Sequence, residues 1–226
     1  MSAVLRRAVA LLIGLVIFLG LPLLSWGVND VHGFVDDPAR LIYILLVILL
    51  QVFVLITMPE AGSNRGTRQK DIPRRRLDVV LIQVISLAVL IIPPYGDRRD
   101  IAVLGGVDMV RYLGLVMFAS GLLTMQWAEA SLGKQFSVEV TLQEGHELIT
   151  SGLYQYLRHP RYLGIMVFTI GIALVFRSWL GLMLGVVLTV VLIWRIGKEE
   201  QLLHQEFGAA WEDYSRESWR LIPFVY

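Results

Sequence analysis

Two polar elements interrupt the most hydrophobic part of the chain, and their residue types suit the binding of a charged ligand. The first is the stretch 152–164, GLYQYLRHPRYLG, and the second is the pair Glu199 and Glu200 at the end of the last apolar run. Ionisable groups near the ends of membrane helices cost folding energy, so they are more often retained for chemistry than for packing. We therefore expect the functional site where these two elements meet.

Pro160 predicts where the first element becomes a helix. A proline fixes its own φ, lacks an N–H and restricts the residue before it, so it belongs at the first helical position. The free N–H groups and dipole of that helix favour an anion, and Arg158 and His159 lie at the same point. The predicted ligand group is a carboxylate or a phosphate. Alternatively, Arg158 and Arg161 only anchor the helix end at the membrane surface.

Glu199 and Glu200 follow the last apolar segment without a break, so we expect them to continue its helix, which then runs on to Tyr214. The spacing places Glu200 beside His204 on the helix surface. A solvated helix face is the simpler alternative for these glutamates. A metal site is not expected, because the His-Glu-x-x-His spacing is absent.

The composition is that of a membrane protein. Of 226 residues, 56% are hydrophobic and only 17% are charged, which is too apolar for an ordinary soluble domain. The net charge of +1 and the placement of basic residues in short loops do not predict nucleic-acid binding. The absence of cysteine excludes disulfides and cysteine nucleophiles.

Six apolar segments predict an all-α polytopic fold, with the last two segments forming a helical hairpin around Arg177 and Ser178. The first is interpreted as a retained anchor helix, because its apolar run is too long for a signal peptide. A spanning helix needs about 20 residues, so the first four fit and the last two are short. The segments are 4–26, 41–58, 77–93, 107–128, 162–176 and 179–196.

The charges of the loops predict the orientation. Arginines precede the first segment and fill the loop 65–76, whereas the loop 29–40 carries aspartates. By the positive-inside rule, both termini and the connection 129–161 are cytoplasmic. On the opposite side, Arg98 and Arg99 are an exception to this rule. We expect Asp97 and Asp100 to balance their charges locally.

The long connection contains a pattern typical of extended chain. Apolar and polar residues alternate over 136–143, a turn follows at 144–146, and 147–150 can return against the first stretch. A period of two argues for a half-buried strand. We expect a short extended hairpin at the cytoplasmic membrane face, either as a plain linker or as part of the site.

Taken together, these motifs resemble the isoprenylcysteine carboxyl methyltransferase family and its bacterial relatives, a superfamily that includes the phospholipid N-methyltransferases. The resemblance covers 127–226 and divides the chain into helices 1–106 and a catalytic core 107–226. The motifs are Gly133-Lys134-Gln135-Phe136-Ser137, Glu144-Gly145-His146 with Leu148, Gly152-x-Tyr154, Arg158-His159-Pro160-x-Tyr162-x-Gly164, Glu199-Glu200, Phe207-Gly208 to Tyr214 and Arg220-x-x-Pro223.

The resemblance implies S-adenosylmethionine bound at the cytoplasmic side, in a pocket formed by the loop, the helical hairpin and a carboxyl-terminal helix, with a tunnel to lipid. It implies a lipophilic acceptor, with a carboxylate as the expected acceptor group. Glu199 would orient a partner, and Arg158 and Arg220 are candidates for holding carboxylates. The implied cofactor contacts are His146, Leu148, Tyr154, His159, Tyr162, Leu163 and Glu200.

Two other classes share parts of this pattern. Membrane sterol and steroid reductases that use NADPH also carry the Arg-His-Pro element, but there an acidic residue commonly follows the motif glycine, whereas Ile165 follows Gly164 here. A non-catalytic membrane interaction protein is the third class. The polar constellation argues against that class, since it is costly to keep at a membrane helix end.

Overall fold

The computed structural model describes residues 3–57, 77–106, 108–132 and 148–226, and its fold is all-α, as predicted. A π-helical stretch, Val16–Gly20, joins the first two helices, and 3-10 turns occupy Val28–Asp30 and Gly152–Gln155. The α-helices are α1 (Ala3–Leu15), α2 (Leu21–Trp26), α3 (Val31–Val35), α4 (Pro38–Thr57), α5 (Leu77–Arg98), α6 (Met109–Leu132), α7 (Pro160–Val175), α8 (Trp179–Phe207) and α9 (Ala209–Glu217).

The long helices have the dimensions of a polytopic integral membrane protein. Within the described ranges, four helical stretches are long and apolar enough to cross a bilayer: Arg7–Trp26, Leu77–Arg98, Met109–Leu132 and Trp179–Phe207. Shorter apolar helices cover Pro38–Phe53 and Pro160–Val175. The predicted extended hairpin, 136–150, falls mainly on 136–147, outside the described residues, and 148–150 have no regular structure.

The helix boundaries confirm some expectations and correct others. Helix α7 begins at Pro160, and α8 continues through Glu199 and Glu200, as predicted. The predicted continuation to Tyr214 is wrong, because Gly208 has φ +50° and ends α8, a conformation that glycine adopts without steric cost. Helix α5 runs five residues beyond the predicted end at Pro93, to Arg98. A proline inside a helix frees backbone groups from their hydrogen bonds, and in a membrane protein neighbouring helices can satisfy these groups.

Glycines bring α6 and α7 into close backbone contact. A methyl group on Gly121 of α6 would lie 2.7 Å from the carbonyl oxygen of Gly164 on α7, and one on Gly114 would lie 2.8 Å from that of Gly171. Each helix therefore carries two glycines seven residues apart on the shared face. Small residues drive helix association in membranes by allowing such approach, and here they hold α7 on α6.

A buried ion-pair cluster ties the helices together at the end of the bundle where α5 ends and α7 turns into α8. The carboxylate of Asp97 is fully buried and lies 3.1 Å from Arg40, 2.8 Å from Arg111 and 3.0 Å from Arg177. Arg111 also lies 3.1 Å from Asp37. The expected local pairing of Asp97 with its arginine neighbours in sequence is therefore wrong, because the helix directs its side chain inward.

The two arginines in that expectation have other partners. Arg98 lies 3.4 Å from Asp30 and donates a hydrogen bond to the carbonyl oxygen of Trp26. Arg99 stacks on the ring of Tyr95, 3.8 Å from its centroid. Arg98 therefore has partners remote in sequence, whereas Arg99 contacts a residue one turn earlier on α5.

Candidate functional site

The chain before α7 is joined to the tail after α9 by backbone hydrogen bonds. The N–H of Arg158 donates to the carbonyl oxygen of Trp219 at 2.8 Å, and the N–H of Trp219 donates to that of Tyr156 at 2.9 Å. The N–H of His159 donates to the carbonyl oxygen of Arg220 at 3.2 Å. This parallel pairing places the arginine before α7 beside the arginine of the tail.

Glu200 lies at the centre of the site, with positive groups on both sides. Its Oε1 lies 3.0 Å from Nε of Arg158 and 3.4 Å from Nε2 of His159, and its Oε2 lies 2.7 Å from Nε of Arg220. The glutamate side chain is 10% exposed. Ion pairs in such a partly desolvated position are stronger and better ordered than surface pairs. The cluster fixes three separate segments around one carboxylate.

A cavity of about 370 Å³ opens beside the two arginines. Its lining comprises Arg158, residues 215–220 and Tyr226. Arg158 donates a hydrogen bond of 2.7 Å to the carbonyl oxygen of Ser215, and Arg220 donates one of 3.0 Å to the hydroxyl of Tyr226. Both guanidinium groups are thus held at the cavity wall.

The guanidinium of Arg220 stays protonated in this setting. Partial burial lowers its pKa, but the hydrogen bond to Tyr226 and the charge of Glu200 outweigh burial, so that its pKa is raised. The guanidinium also lies 4.9 Å from the ring centroid of Tyr226. Arg220 therefore presents a permanent positive charge to any anion in the cavity.

Glu199 belongs to a second polar group on the adjacent face of α8. The hydroxyl of Tyr162 donates to Oε2 of Glu199 at 2.7 Å and accepts from Nε of Arg195 at 2.8 Å. Arg195 also lies 3.5 Å from Asp78 of α5. The ring of Tyr162 stacks on that of His159, with centroids 5.6 Å apart and planes 14° apart. This stacking connects the two polar groups.

Tyr214 connects α9 to the first polar element through Tyr154. The hydroxyl of Tyr214, on α9, donates to the carbonyl oxygen of Tyr154 at 2.7 Å. Burial raises the pKa of Tyr214 to about 12, so the hydroxyl stays protonated near neutral pH and keeps this bond. Burial also raises the pKa of the buried Tyr154. Helix α9 thereby positions the 3-10 turn before α7.

Of the remaining predicted contacts, some lie within the described residues and one does not. Leu163 is half-buried, and its N–H donates to the carbonyl oxygen of His159 at 3.2 Å. Leu148 is half-buried before the 3-10 turn, and His146 lies outside the described residues. His204 lies one turn after Glu200 on α8, as the spacing predicted, and its Nε2 lies 3.0 Å from Glu212 of α9.

The structure adds residues that the motifs did not single out. Arg195 and Asp78 join the site from two different helices, and Trp219 and Tyr226 line the cavity. The sequence carried a signal for Arg195, since a charge inside an apolar run is by default a functional candidate. Within the described ranges, His, Asp and Glu residues form no group of three able to hold a metal ion.

Charge and shape together define what this arrangement can bind. Arg158 and Arg220 suit a carboxylate or another anion, and Glu200 between them suits a cationic group. The cavity volume is near the lower end of the range for small-molecule sites, about 300–1,000 Å³. The lining also contains Ser215 and Ser218, whose hydroxyls donate to the backbone carbonyl oxygens of Glu212 and Tyr214.

Comparisons with known proteins show which proteins this chain resembles. The family model for phospholipid methyltransferases matches residues 109–210, which include α6, α7 and α8. A probable protein-S-isoprenylcysteine O-methyltransferase from Oryza sativa subsp. indica is 30% identical over 123 residues, 51% of this chain and 62% of that protein. A steroid 5-alpha-reductase from Solanum lycopersicum is 33% identical over 115 residues, 50% of this chain and 42% of that protein.

A solved structure has a similar fold. The eukaryotic intramembrane Ras methyltransferase, isoprenylcysteine carboxyl methyltransferase, superimposes with a TM-score of 0.57 at 21% sequence identity, covering 97% of this chain and 75% of that one. The chain spans 62% of the Oryza relative's length. The chain is thus similar in sequence to isoprenylcysteine O-methyltransferases and to the phospholipid methyltransferase family model, and similar in fold to the solved isoprenylcysteine carboxyl methyltransferase.

Proposed function

We propose that this protein is a membrane methyltransferase that uses S-adenosylmethionine and transfers its methyl group to the carboxylate of a lipophilic acceptor. The observation that carries the proposal is the placement of Glu200 between Arg158 and Arg220, beside a cavity at the end of apolar helices. The similarity to methyltransferases supports the reaction type. The residues around the cavity support the choice of ligands.

The charges of the site fit the cofactor. The amino-acid part of S-adenosylmethionine carries a carboxylate and an ammonium group, and the sulfonium adds a second positive charge. Arg158 or Arg220 would hold the carboxylate, while Glu199 and Glu200 would face the positive groups. His159, Tyr162 and Leu163 would line the same side, with Leu148, Tyr154 and His146 completing the pocket.

The acceptor is proposed to be lipophilic, because the cavity lies where apolar helices meet a charged rim. An amphipathic molecule can place its reacting group at the rim and its tail between helices or in lipid. Arg220, whose side chain is 38% exposed, faces outward to receive a carboxylate. Arg158 is the second candidate for that contact.

The proposed reaction needs alignment more than proton transfer. The cofactor, when bound, would supply an electrophilic methyl group on a sulfonium, and methyl transfer would convert that sulfonium to a neutral thioether. A carboxylate is ionised near neutral pH, so no general base is required. Arg158 and Arg220 would orient the attacking oxygen, Glu199 would orient its neighbouring groups, and the apolar helices would exclude water.

We further propose that the site and both termini are cytoplasmic. The arginines near the start of α1 and in 65–76, against the aspartates in 29–40, support this orientation through the positive-inside rule. The carboxyl-terminal tail packs against the start of α7, so the site and the tail share one side. A cytoplasmic pool of S-adenosylmethionine would then reach the site directly.

A reductase that uses NADPH is the second candidate, favoured by the similarity to the Solanum lycopersicum steroid reductase. Thermal unfolding of the detergent-purified protein separates the two. A ligand at 100 times its Kd stabilises the native state by about 2.7 kcal/mol. We expect stabilisation by S-adenosylmethionine or S-adenosylhomocysteine and none by NADPH. The reverse result would favour the reductase, and no response to any of the three would favour a non-catalytic interaction protein.

The acceptor is then identified by methyl transfer from labelled cofactor. The panel comprises prenylcysteines, fatty acids, lipid amines and small thiols, each measured across pH. Turnover of a prenylcysteine or fatty acid supports the proposal. Exclusive turnover of a small water-soluble thiol would rule out a lipophilic carboxylate.

A further inference from the structure

Arg195 is a buried charge in the middle of an apolar helix. The residue is 4% exposed and lies on α8, one turn before Glu199. Charged side chains in membrane helices are expensive and usually have a partner inside the bundle. Its partners include the hydroxyl of Tyr162 at 2.8 Å and the carboxylate of Asp78 at 3.5 Å.

The hydrogen bond from Arg195 determines the direction of the next one. A guanidinium group has donors and no acceptor, so the oxygen of Tyr162 must accept from Arg195. The hydroxyl proton of Tyr162 is then directed to Oε2 of Glu199 at 2.7 Å. Arg195 thereby fixes both the donor direction of Tyr162 and the orientation of the Glu199 carboxylate.

The same tyrosine is connected to the other glutamate. Its ring stacks on His159, whose Nε2 lies 3.4 Å from Glu200. At the other end, Asp78 is 14% exposed and belongs to the first turn of α5. This helix precedes the segment 109–210 that the family model matches. The polar chain therefore reaches from an amino-terminal helix to both glutamates.

We propose that Arg195 is a positioning residue and that Asp78, Arg195 and Tyr162 form a chain that orients Glu199 for binding of the cofactor's positively charged groups. The proposal rests on the proposed function, because it assigns Glu199 to the cofactor. Arg195 itself touches no reacting atom. Helix α5 thus contributes to the site through Asp78, although it lies outside the matched segment.

Arg195→Lys, Tyr162→Phe and their double variant test the chain. A lysine keeps the charge but has one nitrogen, so it cannot reproduce the fork that reaches Tyr162 and Asp78 together. We expect each single variant to raise the Kd for S-adenosylhomocysteine about tenfold. The Kd of the double variant should be no higher than that of the single variant with the higher Kd, because both changes act through Glu199.

Arg177→Lys is the matched control, since it alters an arginine that is ion-paired to Asp97 at the opposite end of the bundle. We expect it to lower the unfolding temperature without changing the Kd. Titration calorimetry well below each unfolding temperature separates binding from stability. A merely structural role of Arg195 would lower stability and leave the Kd of the folded protein unchanged.

The outcomes separate the two proposals. If the wild type binds S-adenosylhomocysteine and Arg195→Lys has the same Kd, the positioning role is wrong and the proposed function stands. If the wild type binds neither S-adenosylmethionine nor S-adenosylhomocysteine, both proposals fail. Should Arg195→Lys not fold, Tyr162→Phe and Asp78→Asn replace it, and an unchanged Kd in both would overturn the inference.

Discussion

Glu200 and Arg220 form an ion pair of 2.7 Å between α8 and the tail of the chain. The pair closes a loop that contains all of α9, and it places the arginine on the wall of the cavity. Arg158 contacts the other oxygen of the same carboxylate. Removal of Glu200 therefore affects both candidate carboxylate ligands together.

The first prediction is that Glu200→Ala weakens binding of S-adenosylhomocysteine. The change leaves Arg158 and Arg220 without their shared counter-charge, and contacts to charged groups contribute about 1.5–3 kcal/mol each. We expect at least a tenfold rise in Kd by calorimetry. His159→Ala should act in the same direction. Glu206→Ala, at an exposed position on the same helix, is the control, and equal affinity in all variants would contradict the pocket assignment.

The second prediction is that Arg220→Ala lowers methyl transfer without adding a pH dependence. A carboxylate acceptor is already ionised near neutral pH, so the lost contact affects binding and orientation but no proton transfer. Rates should be measured from about pH 6 to about pH 9, a range in which a carboxylate is already ionised and a thiol is still losing its proton. For a carboxylate acceptor, the rate should fall by the same factor at every pH. Arg99→Ala, at the opposite end, should have normal rates. Activity that climbs with pH would indicate an amine or thiol acceptor.

The third prediction concerns the cluster around Asp97. Asp97→Asn removes the charge that Arg40, Arg111 and Arg177 share, and breaking a buried pair costs about 3–5 kcal/mol. We expect a large drop in the unfolding temperature in detergent. Asp100→Asn is the control, because its side chain is 81% exposed and 3.9 Å from Arg177. Similar stability of the two variants would mean that the buried cluster contributes little.

The fourth prediction tests the close contact of α6 with α7. Gly121→Ala places a methyl group against the backbone of Gly164 and Phe168, and overpacking of this kind costs about 1–3 kcal/mol. Gly197→Ala, where no atom lies within 4 Å, should be neutral or stabilise the helix by up to about 1 kcal/mol. Thermal unfolding of both variants gives the comparison. Equal effects of the two would contradict the close packing.

The fifth prediction is the topology. A reporter fused after Tyr226 should be active only as a cytoplasmic reporter, because the arginine-rich loop and the tail are proposed to lie on that side. A reporter in the 29–40 loop should give the opposite result. Activity of the Tyr226 fusion on the far side would show that a helix in the hairpin or at the amino terminus has been misassigned.

Much of the site could be predicted because its signals are local. Pro160 marks the start of α7 through its own geometry, so Arg158 and His159 were correctly placed at a helix amino terminus. The unbroken apolar run likewise carried α8 through Glu199 and Glu200. The meeting of these elements followed from the short connection between α7 and α8, which makes the two helices antiparallel neighbours.

Other parts could not be predicted, because they depend on which side of a helix faces the bundle. Asp97 was paired with its neighbours in sequence, yet its partners come from α4, α6 and the turn after α7. Arg195 was visible as a charge, but its contact with Asp78 joins α5 to α8. Such pairs require the packing of separate helices, and sequence spacing does not specify it.

By itself, the sequence determined that this is a polytopic helical membrane protein and where its main helices lie, since apolar run length and proline geometry are properties of the chain. Motif order, also a property of the chain, indicated which polar motif belongs to the candidate site. Only the tertiary structure decided that Glu200 is shared by Arg158 and Arg220, that α9 is a separate helix after Gly208, and that an aspartate of α5 supports the site. The physical reason is that ion pairs in a low-dielectric interior depend on distances of a few ångströms between segments remote in sequence. Those distances are set by how the helices pack.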